Sequence, residues 1–321
     1  MVKALNLALR QEMEADPDVL VIGEDVGVDG GVFRVTEDLQ RAFGSRRVID
    51  SPLAEAAIVG TSIGMALYGL KPVCEIQFSG FAFQCFHHFE NHAARYRMRT
   101  QGRFHVPVVV RMPFGGGVRA LEHHSESEEQ FYAHVPGLKI VVPSGPRNAR
   151  ALLVSAIRDP DPVIFFEHKA LYHASREEVP DEPEALPLGQ ARVVREGSAL
   201  TLIAYGAMLR VAREAAETLA REDRVEAEVI DLLTISPLDR ETIVASVTKT
   251  GRAVVVHEAP GSFGAGAEIA ASIMEGAFLS LEAPIRRVTA HDVPFVGFAR
   301  ERANVPDAAR VVAAARETLS Y

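Results

Sequence analysis

RVIDSPLAEAAIVGTSIGMALYGLKPVCEIQF, residues 47–78, decides the fold. Residues 47–49 read as a short strand. Ser51-Pro52 offers a cap and a first helical position. Residues 52–68 read as a helix and 72–78 as a second strand. Two short apolar strands joined by a helix make a crossover, which pairs strands in parallel. Between Pro52 and Leu70, Glu55 is the one acid, and the rest is Ala, Gly, Ile and other small or apolar residues. The helix is therefore expected to be buried all round, and the sheet covered on both faces.

The pattern extends in both directions. Leu5, Leu9 and Met13 recur at helical spacing, and Asp16-Pro17 ends that helix. A strand over 19–22 leads into the loop Gly23-Glu24-Asp25. Beyond residue 78 come an aromatic-rich helix over about 83–98, a strand over 107–112, the Gly115-Gly116-Gly117 loop and the His123-His124 loop. Strands over 138–142 and 163–166 flank a helix starting at Pro146. The stretch REEVPDEPEALPLG, 176–189, is acidic and proline-rich, as linkers are. A second series follows, with strands over 199–204, 228–232, 253–257 and 285–289. Its helices lie near 209–221, 239–247, 267–278 and 307–319. The expected class is α/β: a parallel-sheet domain over 1–175, a linker over 176–194 and a second α/β domain over 195–321.

Composition narrows the function. In 321 residues, 48% are hydrophobic and 24% charged, which describes a globular chain with sizeable cores. The net charge of −9, with no basic block, argues against a nucleic-acid surface. The stretch 52–70 is too rich in small residues for a membrane span. No targeting segment is visible, and Cys74 and Cys85 lack metal spacing, so a reduced cytoplasmic setting is expected.

Several residues invite chemistry. Glu55 stands alone in an apolar helix, where a carboxylate is costly unless paired, which favours its neutral form. It reads either as a first-turn acid stabilised by the helix dipole or as a proton-sharing acid in a site built with another chain. His124, on a loop after three glycines, is a structural histidine or an acid-base group. His88 and His92 lack the His-Glu-x-x-His pattern, because Phe89 stands in the Glu place; a polar helix face is expected. Gly264-Ala265-Gly266 lacks the third glycine of a dinucleotide fingerprint, which would fall at Ile269, and reads as a tight turn. Asp159-Pro160-Asp161-Pro162 reads as a helix stop or as a hard-cation site of carbonyls and carboxylates.

Taken in order, GEDVGVDGGVFRVTEDL, SPLAEAAIVG, EIQFSGF, RMPFGGGV, HHSES, PGLKIVVPS, AIRDPDPV and TLIAYGAM resemble the beta subunits of pyruvate and branched-chain 2-oxo acid dehydrogenases. The likeness covers nearly the whole chain. It implies a thiamine pyrimidine-binding, transketolase-like domain followed by a transketolase C-terminal domain. It implies thiamine diphosphate as cofactor, with Glu55 bonded to the aminopyrimidine ring, Leu53 packed on the cofactor, and Gln77 and Phe81 beside the ring. It makes His124 the active-site histidine, which would orient or protonate groups during acyl transfer to a lipoyl arm.

The family anchors the diphosphate through magnesium held by a GDG segment and a later Asn. This chain has VDGG at 28–31 and no GDG. The resemblance therefore implies an alpha subunit carrying magnesium, in an α2β2 heterotetramer. It also implies a structural potassium ion at Val108, Ala156, Ile157, Asp159 and Asp161, and contact of the Glu282 region with a lipoyl-bearing acyltransferase. HDVPFVGFAR, 291–300, departs from the family's PYA-type segment. Phe81 resembles pyruvate-type subunits, where branched-chain types often carry Tyr, so the expected reaction is oxidative decarboxylation of a small 2-oxo acid, pyruvate favoured. A branched-chain or acetoin-cleaving subunit is the alternative within the family. A non-catalytic scaffold is the alternative outside it.

Overall fold

The computed structural model describes residues 1–174 and 176–321. The expected domain limit at 175 falls on Ser175, which lies outside the described residues. The strands are β1 (Val19–Gly23), β2 (Val48–Asp50), β3 (Lys71–Glu75), β4 (Val109–Phe114), β5 (Lys139–Val141), β6 (Val163–His168), β7 (Arg192–Arg195), β8 (Leu200–Ala204), β9 (Ala227–Asp231), β10 (Thr234–Ser236), β11 (Ala253–Pro260) and β12 (Arg286–Ala290). They form a seven-stranded sheet, β10-β5-β6-β4-β3-β1-β2, and a five-stranded sheet, β12-β11-β8-β9-β7. All pairings are parallel except β10 with β5 and β7 with β9. β10 belongs by sequence to the second series yet closes an edge of the first sheet, so the two halves share backbone hydrogen bonds.

Alternation along the strands feeds two cores. Val21, Val73, Val109 and Val163 point into one, while Ile22, Cys74, Val110 and Ile164 point into the other. Both faces are thus covered, as uninterrupted apolar strands require. Helix Val2–Ala15 puts Leu5, Leu9 and Met13 into the first core and packs on helix Pro146–Arg158, where Arg158 pairs with Glu12 at 2.7 Å. Each such buried side chain contributes about 1.5–3 kcal/mol. Among the described residues no helix is long and apolar enough to cross a membrane.

Three expectations are corrected. Helix Glu55–Leu67 starts three residues later than Ser51-Pro52 implied. The Ser51 N–H bonds the Gly23 carbonyl at 2.8 Å, extending the β2 direction, and the Ser51 hydroxyl donates to Pro52, so it caps nothing. This helix is also not buried all round: Ile58, Val59, Ser62, Ile63 and Ala66 are buried, while Ala57, Thr61, Gly64 and Tyr68 form an exposed stripe. The aromatic-rich helix is broken into a 3-10 turn (Ser79–Cys85), a helical turn (Phe86–His88), a π turn (Phe89–Ala93) and Tyr96–Arg99. The wide turn, with Ala94 N–H reaching Phe89 O at 3.0 Å, leaves both Phe89 and Ala93 buried.

Candidate active site

In a parallel sheet, the loops after the strands' carboxyl ends collect at one edge, where ligands of such folds bind. That edge gathers the expected residues. The chain leaves β1 into Glu24 and Asp25, and β2 into Leu53 and Glu55. β3 leads to Gln77 and Phe81, and β4 to the triple-glycine loop and His124.

Glu55 opens its helix, where the dipole favours a negative group, and is 4% exposed. Its side-chain hydrogen bond comes from Gln84 Nε2, at a long 3.4 Å. Burial, then the charges of Glu55 and Asp25, push the Glu24 carboxyl above the usual range. Gln77 donates to Asp25 at 3.1 Å. The turn Ser79–Cys85 joins the two halves of the arrangement. Gln84 faces Glu55, and the Phe81 ring meets the His124 ring edge-on at 5.3 Å between centroids. Phe78 packs on His124 from 4.4 Å. His124 Nδ1 is buried without a hydrogen-bond partner. Leu53, by contrast, is 77% exposed although Glu55 two residues on is buried.

Residue types alone did not reveal Lys169. It follows β6, and its ammonium donates to the main-chain carbonyls of Gly115 and His124. Burial lowers it to about 8, against the raising effect of Glu258 and Glu301. Two buried carboxylates from the second half of the chain, Glu258 and Glu301, also hold the glycine loop. No local signal could have identified them, because their partners are backbone N–H groups more than a hundred residues away.

The residues suit a flat, nitrogen-bearing aromatic ring. Glu55 is a buried carboxyl with spare hydrogen-bonding capacity, Phe81 offers a ring, and His124 Nδ1 is buried and uncommitted. Among the described residues no group of three or more His, Cys, Asp and Glu could hold a metal ion. At the expected potassium position both carboxylates are already engaged. Lys139 Nζ lies 2.6 Å from each Asp159 oxygen, and Arg97 lies 2.6 Å from Asp161. A monovalent cation there would rely on main-chain carbonyls; those of Val108 and Ala156 each already accept one hydrogen bond, from Val163 and Asp159. Glu282 is exposed and pairs with Arg252 at 2.5 Å. A cavity of about 1160 Å³ opens between the two halves of the chain, lined by Phe86, Glu128, Phe131, Glu258 and Phe295 among others. None of the expected cofactor residues lines it; they sit at the carboxyl ends of the first sheet's strands.

Residues 1–174 match the family model for the transketolase pyrimidine-binding domain, and residues 189–311 match that for the transketolase C-terminal domain. A pyruvate dehydrogenase E1 component subunit beta from Staphylococcus epidermidis is 50% identical over 321 residues, covering all of this chain and 98% of that protein. The subunit of the same name from Staphylococcus aureus is 49% identical with the same coverage. A solved split-gene transketolase, described as an inactive beta4 tetramer, superimposes with a TM-score of 0.82 at 23% identity, over 99% of this chain and 97% of that one. That likeness speaks for the fold alone.

Proposed function

Because the chain belongs to the family of pyruvate dehydrogenase E1 component beta subunits, built from transketolase pyrimidine-binding and C-terminal domains, we propose that it is the beta half of a thiamine-diphosphate-dependent 2-oxo acid dehydrogenase acting on pyruvate. The observation that carries this is the buried, underused carboxyl of Glu55, set beside exposed Leu53 and an exposed helix stripe. A residue pair of that kind is half of a site.

When bound, thiamine diphosphate would supply the electron sink for loss of carbon dioxide. Glu55 would hold a proton against the pyrimidine ring and so set which ring nitrogen can accept one. Leu53 would pack on the cofactor and, once covered, keep water out. Gln77 and Phe81 would fix the ring's orientation. His124, with a free Nδ1 and a ring pinned by Phe78 and Phe81, would donate or accept a proton as the acyl group passes to a lipoyl arm. An alpha subunit would bring magnesium and the diphosphate site and cover the stripe of Ala57, Thr61, Gly64 and Tyr68, in an α2β2 assembly. Potassium held by the carbonyls of Val108, Ala156, Ile157, Asp159 and Asp161, acyltransferase contact near Glu282 and a cytoplasmic location belong to the same reading.

The test is co-expression with the alpha subunit and comparison of pyruvate, branched 2-oxo acids and acetoin, with and without thiamine diphosphate and magnesium. Cofactor-dependent turnover led by pyruvate is expected. Preference for a branched acid or acetoin would move the assignment within the family. An assembled but inactive complex, or Glu55→Gln turning over normally, would defeat the catalytic reading.

A further inference from the structure

The loop that carries His124 is not held by its own domain alone. It leaves β4 at Phe114, and the Gly115 N–H returns to the Glu126 carbonyl at 3.0 Å, closing the loop on itself. Within it, successive N–H groups point at carboxylates from the second half of the chain. Gly116 N–H donates to Glu258 Oε1 at 2.5 Å, Gly117 N–H to Glu301 Oε1 at 3.0 Å, and Arg119 N–H to Glu301 Oε2 at 3.0 Å. Both acids are buried. The other Glu258 oxygen meets His168 Nε2 at 2.8 Å. Lys169 takes up the carbonyls at the two ends of the loop, Gly115 and His124.

The glycines fit this clamp closely. Gly117 has φ +92°, and a Cβ there would lie 2.7 Å from Ala170 Cβ; at Gly116 it would lie 2.7 Å from Phe295 Cζ. Phe295 belongs to the 291–300 segment that departs from the family pattern, and Glu301 follows directly on it. Charge-assisted hydrogen bonds to buried carboxylates are stronger than neutral ones, and a loop without such anchors samples many conformations.

We propose that Glu258 and Glu301 are positioning residues for His124: the C-terminal domain, through two carboxylates, sets where the active-site histidine stands. The proposal rests on the reading that His124 serves acyl transfer to the lipoyl arm. It makes the departing 291–300 segment, with Glu301 directly after it, a part of the active-site scaffold. Glu301 is the cleaner handle, since Glu258 is also tied to His168.

The experiment uses the assembled enzyme with its alpha subunit, carrying Glu301→Gln, Glu301→Ala, His124→Ala or, as control, Glu217→Gln at an exposed helix position. Three quantities are measured: amide hydrogen exchange over 115–125, decarboxylation coupled to ferricyanide, and turnover coupled to a lipoyl domain. In Glu301→Ala the amides of Gly117 and Arg119 are expected to exchange at least about tenfold faster, in line with the loss of hydrogen bonds to a charged group. Lipoyl-coupled kcat is expected to fall about tenfold or more, as slight misplacement of a reacting group allows, with ferricyanide-coupled turnover within about twofold. Glu301→Gln, keeping one acceptor oxygen, should fall between. Glu217→Gln should leave the loop's exchange unchanged. Equal loss in both assays would mark Glu301 as merely structural and overturn the proposal, as would unchanged exchange over the loop. If His124→Ala transfers acyl groups normally, the histidine's assigned role fails, and the exchange data still decide whether the clamp exists.

Discussion

Arg111→Met tests how the sheet holds the strand ends in place. Arg111 lies on β4, fully buried, with its guanidinium spanning three strands. Nε and Nη2 donate to the two oxygens of Glu167 on β6, at 2.6 and 2.8 Å, and Nη1 donates to Glu75 on β3 at 2.6 Å. The Tyr172 hydroxyl adds a 2.6 Å bond to Glu167. Methionine keeps the length and the apolar stem but leaves two buried carboxylates without a cation. Breaking a buried pair in this way costs about 3–5 kcal/mol. At roughly 2–4 °C per kcal/mol for a protein of this size, the melting temperature should drop by on the order of 10 °C. The deficit should depend on pH. Burial already pushes Glu75 above the usual range although Arg111 pulls it down, and losing that cation removes the pull. A carboxyl raised in the folded state contributes its stability below the ordinary pKa of about 4.3 and loses it as pH rises. The deficit should therefore grow as pH rises from about 5 to 8. Circular-dichroism melts of both proteins across that range measure it. A triple variant with Glu75 and Glu167 also changed to Met should recover most of the loss, because that core strands no ion and leaves only the Tyr172 hydroxyl without its partner. A deficit under about 1 kcal/mol, or one flat across pH, would refute the argument.

Glu55→Gln should lower turnover of the assembled enzyme by about a hundredfold, the lower range for a lost proton-transfer group, while leaving the melt of the isolated chain within a few degrees. His257, buried in β11, accepts the Gly266 N–H at 3.2 Å, and burial, then Arg287, push it down to about 4. A histidine depressed in the folded state binds its proton more readily when unfolded, so stability falls as pH drops from about 6.5 toward 4, by about 3 kcal/mol in all. Melts at stepped pH should show that slope, and His257→Gln should flatten it. Gly115→Ala places a Cβ 2.5 Å from His168 Nε2 at φ +77°, so it should cost about 2 kcal/mol and depress lipoyl-coupled turnover; an unchanged melt would show that the loop has room to move.

Periodicity recovered the long elements because each is decided locally. The run Ala253–Val256 is apolar at every position and reads as an interior strand. Two strands escaped notice. β7, reading RVVR, is an edge strand whose residues are exposed or half-buried, so it carries no alternation signal. β10 has three residues and gains its identity from pairing with β5, nearly a hundred positions away, which no window over the sequence contains. The break in the aromatic segment follows from tertiary packing: Phe89 meets Tyr132 at 5.6 Å, and the π turn brings it there at the expense of regular hydrogen bonding. In the site, Glu55 stood out because an acid in apolar surroundings is anomalous by type. Lys169, Glu258 and Glu301 are ordinary charged residues by type; their importance lies in main-chain groups they reach only after folding.

The division of labour within the site follows from which groups are already settled in the isolated chain. Glu55 is buried, at a helix start, and steadied by Gln84; His124 has both ends of its loop tied down, and its ring lies against Phe78 and Phe81. On the proposed reading these are the groups whose placement governs proton transfer, and a group displaced by an ångström loses much of its effect. What stays open is Leu53 and the stripe ending at Tyr68, apolar or small surface that gains about 25 cal/mol for each Å² removed from water. Such surface tolerates loose placement until it is covered, whereas a proton donor does not. Setting the donors by folding and leaving the apolar cover to assembly lets the partner's docking energy exclude water without disturbing the acid's geometry. On the proposed reading, Leu53→Ala should therefore weaken association with the alpha subunit more than it alters the isolated chain's melt.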